Sequence, residues 1–498
     1  MAGTRGYLGR HPGLLVGVVV GVTSSLLVAR DVSKPIFRDE GSSLYSAHLP
    51  WSELWQQSRL VDAVMLPYYA LLHLWVQVSL SIEWARSLSL LAYGLTVLLV
   101  AVLAGRLTGV AGAVVASLVV ATNPLMVGAA LSARPTALSA LVATCAVAAL
   151  LRWRGDTRAR WLWVFALLTI LTALTHLFAV LAPLCALGGS TLAWRATWRE
   201  RWQSAVAPLA ATGLVVASVL VAASGEVGQV SWIKRETPVS ALTHVLGPVS
   251  GGPPAYGLCL VVIALLAGGL LASGRWSASV PDTRRLNTGS WVVVTSWAFG
   301  PALILVLASL WSPLYLQRYV TASAPGLALS LAMLVGAGVG RLEARAGTRA
   351  GVVAGALVAF GIIIVALPGA TSMAARSPED TRGIAAFLVQ HAGADSWVAL
   401  PNHADAAAIT PYWDEVRRRP QLWPQRHQLL IEGIALDASG QTLRRAPANI
   451  WLVDDGSAAG IDAFLARLTA AGYHQADLTA FGNVEVLHLV RSHLVGAS

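Results

Sequence analysis

Charge is what this chain has least of. Only 12% of its 498 residues are Asp, Glu, Lys or Arg, about half the share found in soluble proteins. With 56% hydrophobic residues and a mean hydropathy of +0.63, too little polar surface remains to coat a water-soluble particle of this length. Lysine is nearly missing: Lys34 and Lys234 are the only two, so the net charge of +10 rests on arginine. Cysteine is equally sparse. Cys145, Cys185 and Cys259 each lie inside an apolar run, which leaves no disulfide framework, zinc spacing or redox motif and reads as small buried apolar side chains. Neither a Walker loop nor a glycine-rich dinucleotide fingerprint occurs, and no internal repeat or low-complexity tract is visible.

Long apolar runs are abundant instead. About eleven of them, mostly about 16 to 22 residues long, fill the first three-quarters of the chain, and that is the length that crosses a hydrocarbon core of about 30 Å. They fall at 14–28, 85–104, 109–124, 135–151, 161–175, 178–194, 204–223, 255–273, 291–310, 319–340 and 350–368. The first follows Arg5 and Arg10 like a signal peptide, but it ends at Ala29-Arg30-Asp31 with no small-residue cleavage site, so it is expected to stay as a helix. Arginines mark alternate loops. Arg106, then Arg152, Arg154, Arg158 and Arg160, then Arg195, Arg199 and Arg201, then Arg275, Arg284 and Arg285, and finally Arg341, Arg345 and Arg349 all fall on the side of the N-terminus. Positive charge marks the cytoplasmic side. The basic balance therefore implies a membrane topology and no nucleic-acid partner.

This parity decides the status of residues 66–80. Counting them as a span would place every arginine cluster outside. They carry Tyr68, Tyr69, His73, Trp75 and Gln77, so they are expected to form an amphipathic helix on the outer surface, inside one large outer loop, 30–83. After Pro368 the composition changes. Residues 375–498 mix charged and apolar residues, with strands expected at 396–400, 450–453 and 484–490 and helices at 380–391 and 461–471. The expected architecture is a polytopic α-helical membrane domain, 1–374, followed by an extracytoplasmic α/β domain, 375–498.

The sharpest chemical signal opens the large outer loop at Phe37-Arg38-Asp39-Glu40-Gly41. Two adjacent carboxylates at a membrane surface are costly to desolvate and usually have a task or a partner. A carboxylate is the natural base for a sugar hydroxyl attacking an anomeric carbon. An equally weighted alternative is a solvated loop with Asp39 paired to Arg38. Polar residues recur at the other outer ends: Ser132-Ala133-Arg134-Pro135, Thr175-His176, Gln229-Val230-Ser231-Trp232 and Leu316-Gln317-Arg318-Tyr319. Arginines on this side break the charge bias. Each is a candidate phosphate ligand, because guanidinium grips phosphate oxygens bidentately; snorkelling to a head group is the competing use. A lone histidine such as His176 is more often a packing residue than a catalytic one.

Taken in order, these residues resemble the GT-C glycosyltransferases, in particular the bacterial family of protein O-mannosyltransferases and lipid A aminoarabinose transferases, with actinobacterial mannosyltransferase-like members most alike. The resemblance runs through Arg38-Asp39-Glu40, the stretch from Asp62 to Trp75, Glu83-Trp84-Ala85-Arg86-Ser87-Leu88-Ser89, Ala133-Arg134-Pro135, Thr175-His176-Leu177-Phe178-Ala179, Gln229-Val230-Ser231-Trp232-Ile233 and Arg318-Tyr319. It implies an enzyme of the outer membrane face that uses a polyprenyl-phosphate sugar. Asp39 would be its general base and Glu40 would support the acceptor. Arg134 and Arg318 would hold the donor phosphate, His176 would line the same cavity, and the 66–80 helix would shape the lipid entrance. Arg38, Asp62, Tyr68, Tyr69, His73, Gln229, Trp232 and Tyr319 complete the expected substrate-binding set.

The chain departs from the family where it reads Leu131-Ser132-Ala133-Arg134-Pro135-Thr136 and where Val64 replaces a frequent asparagine, so the sugar and the acceptor stay open. Mannose is expected first and arabinofuranose next. The acceptor is a glycolipid, a polysaccharide or a protein. No spacing demands a metal, although a divalent ion beside Asp39 and Glu40 is compatible with the chemistry. Asn402, His403, Asp405, Tyr412 and Trp413 are candidates to face a glycan, with an ordinary surface role as the more frequent alternative. The expected location is the plasma (inner) membrane, with the N-terminus cytoplasmic. Two other classes remain: a flippase for lipid-linked sugars, which would need polar residues near the bilayer midplane, and a non-catalytic envelope-assembly protein.

Overall fold

The computed structural model describes residues 12–58, 63–79, 81–156, 158–224, 288–375, 379–393, 396–399, 447–454, 461–482 and 484–492, with isolated positions 262, 408, 409 and 412. The expected span at 255–273 lies outside the described residues, apart from position 262. So do Asp62, Gln229, Trp232, Asn402, His403, Asp405 and Trp413. The chain divides into two compact units: Met1–Val32 with Pro50–Ala375, and Ser33–Leu49 with Arg376–Ser498. The segment carrying Asp39 thus groups with the C-terminal residues, where the sequence had assigned all of 30–83 to the membrane domain.

The first unit is helical. Among the described residues, seven helices are long and apolar enough to cross a membrane, or eight if one bent pair counts as a span. The bent pair falls on the expected span 109–124. The Val110–Thr122 helix stops at Asn123, and the Pro124–Ala130 helix leaves at 61°. The cause is local. Pro124 lacks an N–H and pushes the preceding residue out of helical geometry, and Asn123 is extended at φ −66°, ψ 122°. Its side-chain oxygen then caps the new helix, accepting from the N–H groups of Leu125 at 3.1 Å and Met126 at 3.3 Å. The expected span 161–175 is a 17-residue helix, Ala159–Thr175, and the expected span 178–194 holds a 13-residue helix, Leu181–Ala193, after a 3-10 turn.

Residues 66–80 form an 11-residue helix, Leu66–Val76. At 1.5 Å per residue this is about half a hydrocarbon core, so it does not span. One of its faces packs into the unit and the other faces outward. Tyr68, Tyr69, Leu72, His73 and Val76 are buried, while Leu71 and Leu74 are exposed. Two indoles tie it to the next helix. Trp75 and Trp84 stack at 5.1 Å, and each donates its N–H to the other's carbonyl, at 3.0 and 2.8 Å.

Small residues allow the first helix its close approach. Gly13, Gly17 and Gly21 recur every four residues on Pro12–Val28 and face Ile82–Thr108. A Cβ at Gly17 would lie 2.9 Å from the Leu98 carbonyl oxygen and 3.0 Å from the Ala101 Cβ. This is the packing that small residues permit in apolar bundles. Two large buried aromatics satisfy their polar atoms on carbonyls of other helices and turns: Tyr93 donates to the Ala121 carbonyl and Trp297 to the Ala322 carbonyl, both at 2.7 Å.

The second unit carries a four-stranded sheet in the order β1-β2-β4-β3, with β1 Ser396–Ala399, β2 Asn449–Asp454, β3 Tyr473–Phe481 and β4 Val484–Arg491. β1 and β2 run parallel; the other pairs are antiparallel. β1, β2 and β4 lie where the sequence placed strands. β3 was not anticipated, because as an edge strand most of its side chains are exposed and it lacks apolar alternation. Phe464 and Leu468, from the Ile461–Ala470 helix, pack on Ile450, Leu452, Leu487 and Leu489. The Thr381–His391 helix starts from Asp380, whose side chain accepts from the Gly383 N–H at 2.9 Å.

Replacing Gly17 by Val should cost about 1–3 kcal/mol through overpacking, read as a lower unfolding temperature in detergent. Gly213→Ala, where an added Cβ meets nothing within 4 Å, should leave it nearly unchanged.

Candidate active-site elements

In the helical unit, four of the expected residues gather at breaks in the helices. Arg134 sits in the turn between Pro124–Ala130 and the Pro135–Asp156 helix. Proline is favoured at a helix start and excludes helical geometry from the residue before it, so Arg134 must lie in the turn. The Arg134 N–H donates to the Ser132 carbonyl at 2.8 Å, and the Ser89 hydroxyl donates to the Arg134 carbonyl at 3.3 Å. His176 terminates Ala159–Thr175 in an extended conformation, φ −161° and ψ 108°, before a 3-10 turn at Leu177–Val180. Its carbonyl accepts from Ala179 at 3.0 Å. Arg318 and Tyr319 belong to a second 3-10 segment, Gln317–Ser323, which follows extended Leu316. The irregular stretch before it is held by Ser309, whose hydroxyl oxygen accepts from the Leu314 and Tyr315 N–H groups at 3.2 and 2.9 Å.

Tyr319 is the centre of this group. Its ring stacks on Phe178 at 4.5 Å and meets His176 edge-on at 5.6 Å. The Arg318 guanidinium carbon lies 5.9 Å from its centroid, within cation–π range. His176 lies in the break between two helices, and its Nδ1 is buried with no hydrogen-bond partner among the described residues. Burial first, and then the positive charges of Arg134 and Arg318, push its pKa down to about 4. The imidazole is therefore neutral at physiological pH, and the cation character belongs to the two arginines. Arg318 is exposed and Arg134 half-buried. Such a group can hold a phosphate: two guanidinium groups for its charge and aromatic faces for an apolar neighbour.

Tyr68, Tyr69 and His73 occupy a different element, the Leu66–Val76 helix, which packs on Ala159–Thr175. Tyr69 donates to the Met65 sulfur at 3.3 Å, and the His73 ring lies 4.4 Å from that of Trp51.

In the second unit, Arg38, Asp39 and Glu40 form the first turn of the Arg38–His48 helix. Acidic residues suit that position because the helix dipole is positive there. Glu40 is fully buried, and its N–H donates to the Phe37 carbonyl at 3.0 Å. The strand of chain before the helix is pinned by residues far away in sequence. Ile36 N–H donates to the Tyr412 hydroxyl at 2.6 Å, Thr381 donates to the Ile36 carbonyl at 2.5 Å, and Arg38 N–H donates to the Glu379 carboxylate at 2.6 Å. Tyr412 is thus a buried anchor, 2% exposed, rather than a glycan-facing surface residue. Glu379, Thr381 and Phe178 were not singled out from sequence; Phe178 lay inside a quoted motif, but nothing local marks Glu379 or Thr381. Among the described residues no three His, Cys, Asp or Glu side chains form a group able to hold a metal ion.

No protein-family model matches the chain, and no curated protein matches it in sequence. Solved structures do match. The crystal structure of ArnT from Cupriavidus metallidurans bound to undecaprenyl phosphate aligns with a TM-score of 0.56 at 15% identity, covering 97% of this chain and 99% of that one. The apo crystal structure of the same protein aligns with a TM-score of 0.56 at 13% identity, covering 95% and 97%. The chain therefore has the fold of ArnT, the GT-C arrangement of a multi-pass membrane bundle with a C-terminal sheet region.

The two guanidinium groups make a measurable difference to His176. Histidine-selective NMR in detergent, with His176→Gln to identify the signal, should show the ring neutral at pH 5. In Arg318→Gln its pKa should rise, because one of the charges opposing protonation is gone.

Proposed function

We propose that this protein is a membrane glycosyltransferase that takes a sugar from a polyprenyl-phosphate donor. The observation that carries the reading is the gathering of Arg134 and Arg318 around a neutral His176 and the Tyr319 ring, in a chain with the fold of an undecaprenyl-phosphate-binding protein. Mannose is the favoured sugar and arabinofuranose the next. The acceptor is a glycolipid, polysaccharide or protein hydroxyl. The active site belongs to the extracytoplasmic face of the plasma membrane, with the N-terminus cytoplasmic and the C-terminal unit extracytoplasmic, as the arginine pattern of the loops supports.

The chemistry is one inverting displacement. The acceptor oxygen attacks the anomeric carbon and forms the new C–O bond while its proton passes to the Asp39 carboxylate. The bond from the anomeric carbon to the phosphate oxygen breaks on the opposite face, and its electron pair stays on the phosphate. Arg134 and Arg318 are the residues proposed to receive that growing charge, already oriented before the reaction. Neutral His176 and Tyr319 line the same position without adding charge. Glu40, Arg38, Asp62, Tyr68, Tyr69, His73, Gln229 and Trp232 complete the proposed substrate-binding set.

Purified full-length protein, given polyprenyl-phosphate mannose and then the arabinofuranose donor with cell-envelope extract as acceptor, should release polyprenyl phosphate. Asp39→Asn should lower that rate by roughly 100-fold or more while still binding undecaprenyl phosphate. Arg318→Ala and Arg134→Ala should each weaken lipid-phosphate binding by about tenfold. Wild-type turnover in Asp39→Asn would sink the enzymatic reading and favour a flippase or a scaffold.

A further inference from the structure

The Asp39 helix is anchored by a side chain that the reaction itself does not call for. The first N–H groups of a helix have no partners within it. The Arg38 N–H finds one 341 residues away, in the Glu379 carboxylate at 2.6 Å. Glu379 is itself fixed. It forms an isolated β-bridge with Gly482, at the turn between β3 and β4, and it directly precedes Asp380, the cap of the Thr381–His391 helix. Thr381 and Tyr412 grip both sides of Ile36, which is fully buried. Three bonds therefore hold Ile36 and Arg38, the residues leading directly into Asp39.

We propose that Glu379 is a positioning residue for Asp39: it caps the helix on which Asp39 sits and so fixes where that carboxylate is held. This rests on the reading of Asp39 as the base. Its charge lies close enough to Asp39 for the two to be coupled. Burial raises the Glu379 pKa, the Arg38 N–H and the Arg38 charge oppose that rise, and the charge of Asp39 adds to it. Along its own chain, the Asp380 carboxylate is turned to Gly383 and the Arg382 guanidinium lies over the Tyr412 ring at 5.1 Å. The carboxyl held up by this pairing is Glu379, so its neutral form, which still accepts from the Arg38 N–H, is the one favoured as Asp39 takes its charge.

Glu379→Gln keeps an oxygen that can accept from Arg38, as the neutral carboxyl does, so the acid limb of kcat/KM, measured with polyprenyl-phosphate mannose, should stay close to that of the wild type. Glu379→Ala loses the cap. It should lower kcat by roughly 10- to 100-fold, with KM for the donor changed far less, and it should speed hydrogen exchange over residues 36–41. Gln should restore slow exchange and most of the lost rate. A rate loss in Glu379→Gln as large as in Glu379→Ala, or unchanged kcat and exchange in Glu379→Ala, would overturn the proposal. Asp39→Asn run in parallel separates the two ideas. If it alone abolishes turnover while both Glu379 variants behave as wild type, the base assignment stands and the positioning role falls. If Asp39→Asn is fully active, the base assignment falls first.

Discussion

A backbone surrounded by apolar side chains and lipid must satisfy its own hydrogen bonds. Among the described residues of the helical unit, three interruptions of the helix ladder show how this is met. Asn123 caps the helix that Pro124 starts. Ser309 accepts from two N–H groups of the irregular chain before Leu316. His176 links two helices through bonds to Thr172 and Ala179. The polar residues of chemical interest sit at these same interruptions, because a break is where a side chain can leave the helix packing without opening the ladder. Arg134, His176 and Arg318 are consequences of that rule: each stands at a point where the chain has stopped being α-helical.

The electrostatics follow from this placement. Two guanidinium groups near one another would repel unless a counter-charge or solvent separated them, and a third cation would worsen the balance. The structure avoids the third. Burial and the two arginines together hold His176 in its neutral form, and Tyr319 offers a ring face to Arg318 and an edge contact to His176. In the function proposed here the set would meet negative charge brought by a ligand, which is how an electrostatic site is prepared before its substrate arrives.

The second unit solves a different problem. A helix that begins with Arg38-Asp39-Glu40 has favourable charge for its dipole but little apolar surface of its own to fix its start. The fixing comes from Glu379, Thr381 and Tyr412. A short polar segment near the N-terminus is thereby built into a unit whose sheet and helices come from the end of the chain. The same economy explains why Tyr412 is buried: its hydroxyl serves as an acceptor inside the unit.

Much of the helical unit was legible because an apolar run long enough to cross a bilayer is a one-dimensional signal, and the helices Ile82–Thr108, Pro135–Asp156, Arg195–Ser224 and Thr348–Ala375 cover the runs that announced them. The residue types at Asp39, Arg134, His176 and Arg318 were also legible, since each is polar where its neighbours are not. Other features were not. The 61° bend at Asn123 depends on a cap, the burial of Tyr68, Tyr69 and His73 on Leu66–Val76 depends on what that helix packs against, and the exposed strand Tyr473–Phe481 has no apolar rhythm to reveal it. The sequence by itself determined how much of the chain belongs in an apolar medium and which residues carry charge there, because transfer energy is a property of each segment. Only the tertiary structure decided that Tyr319 would be shared by Phe178 and His176, and that Glu379 would hold Arg38, because such contacts join residues more than a hundred positions apart and depend on packing that no local pattern encodes.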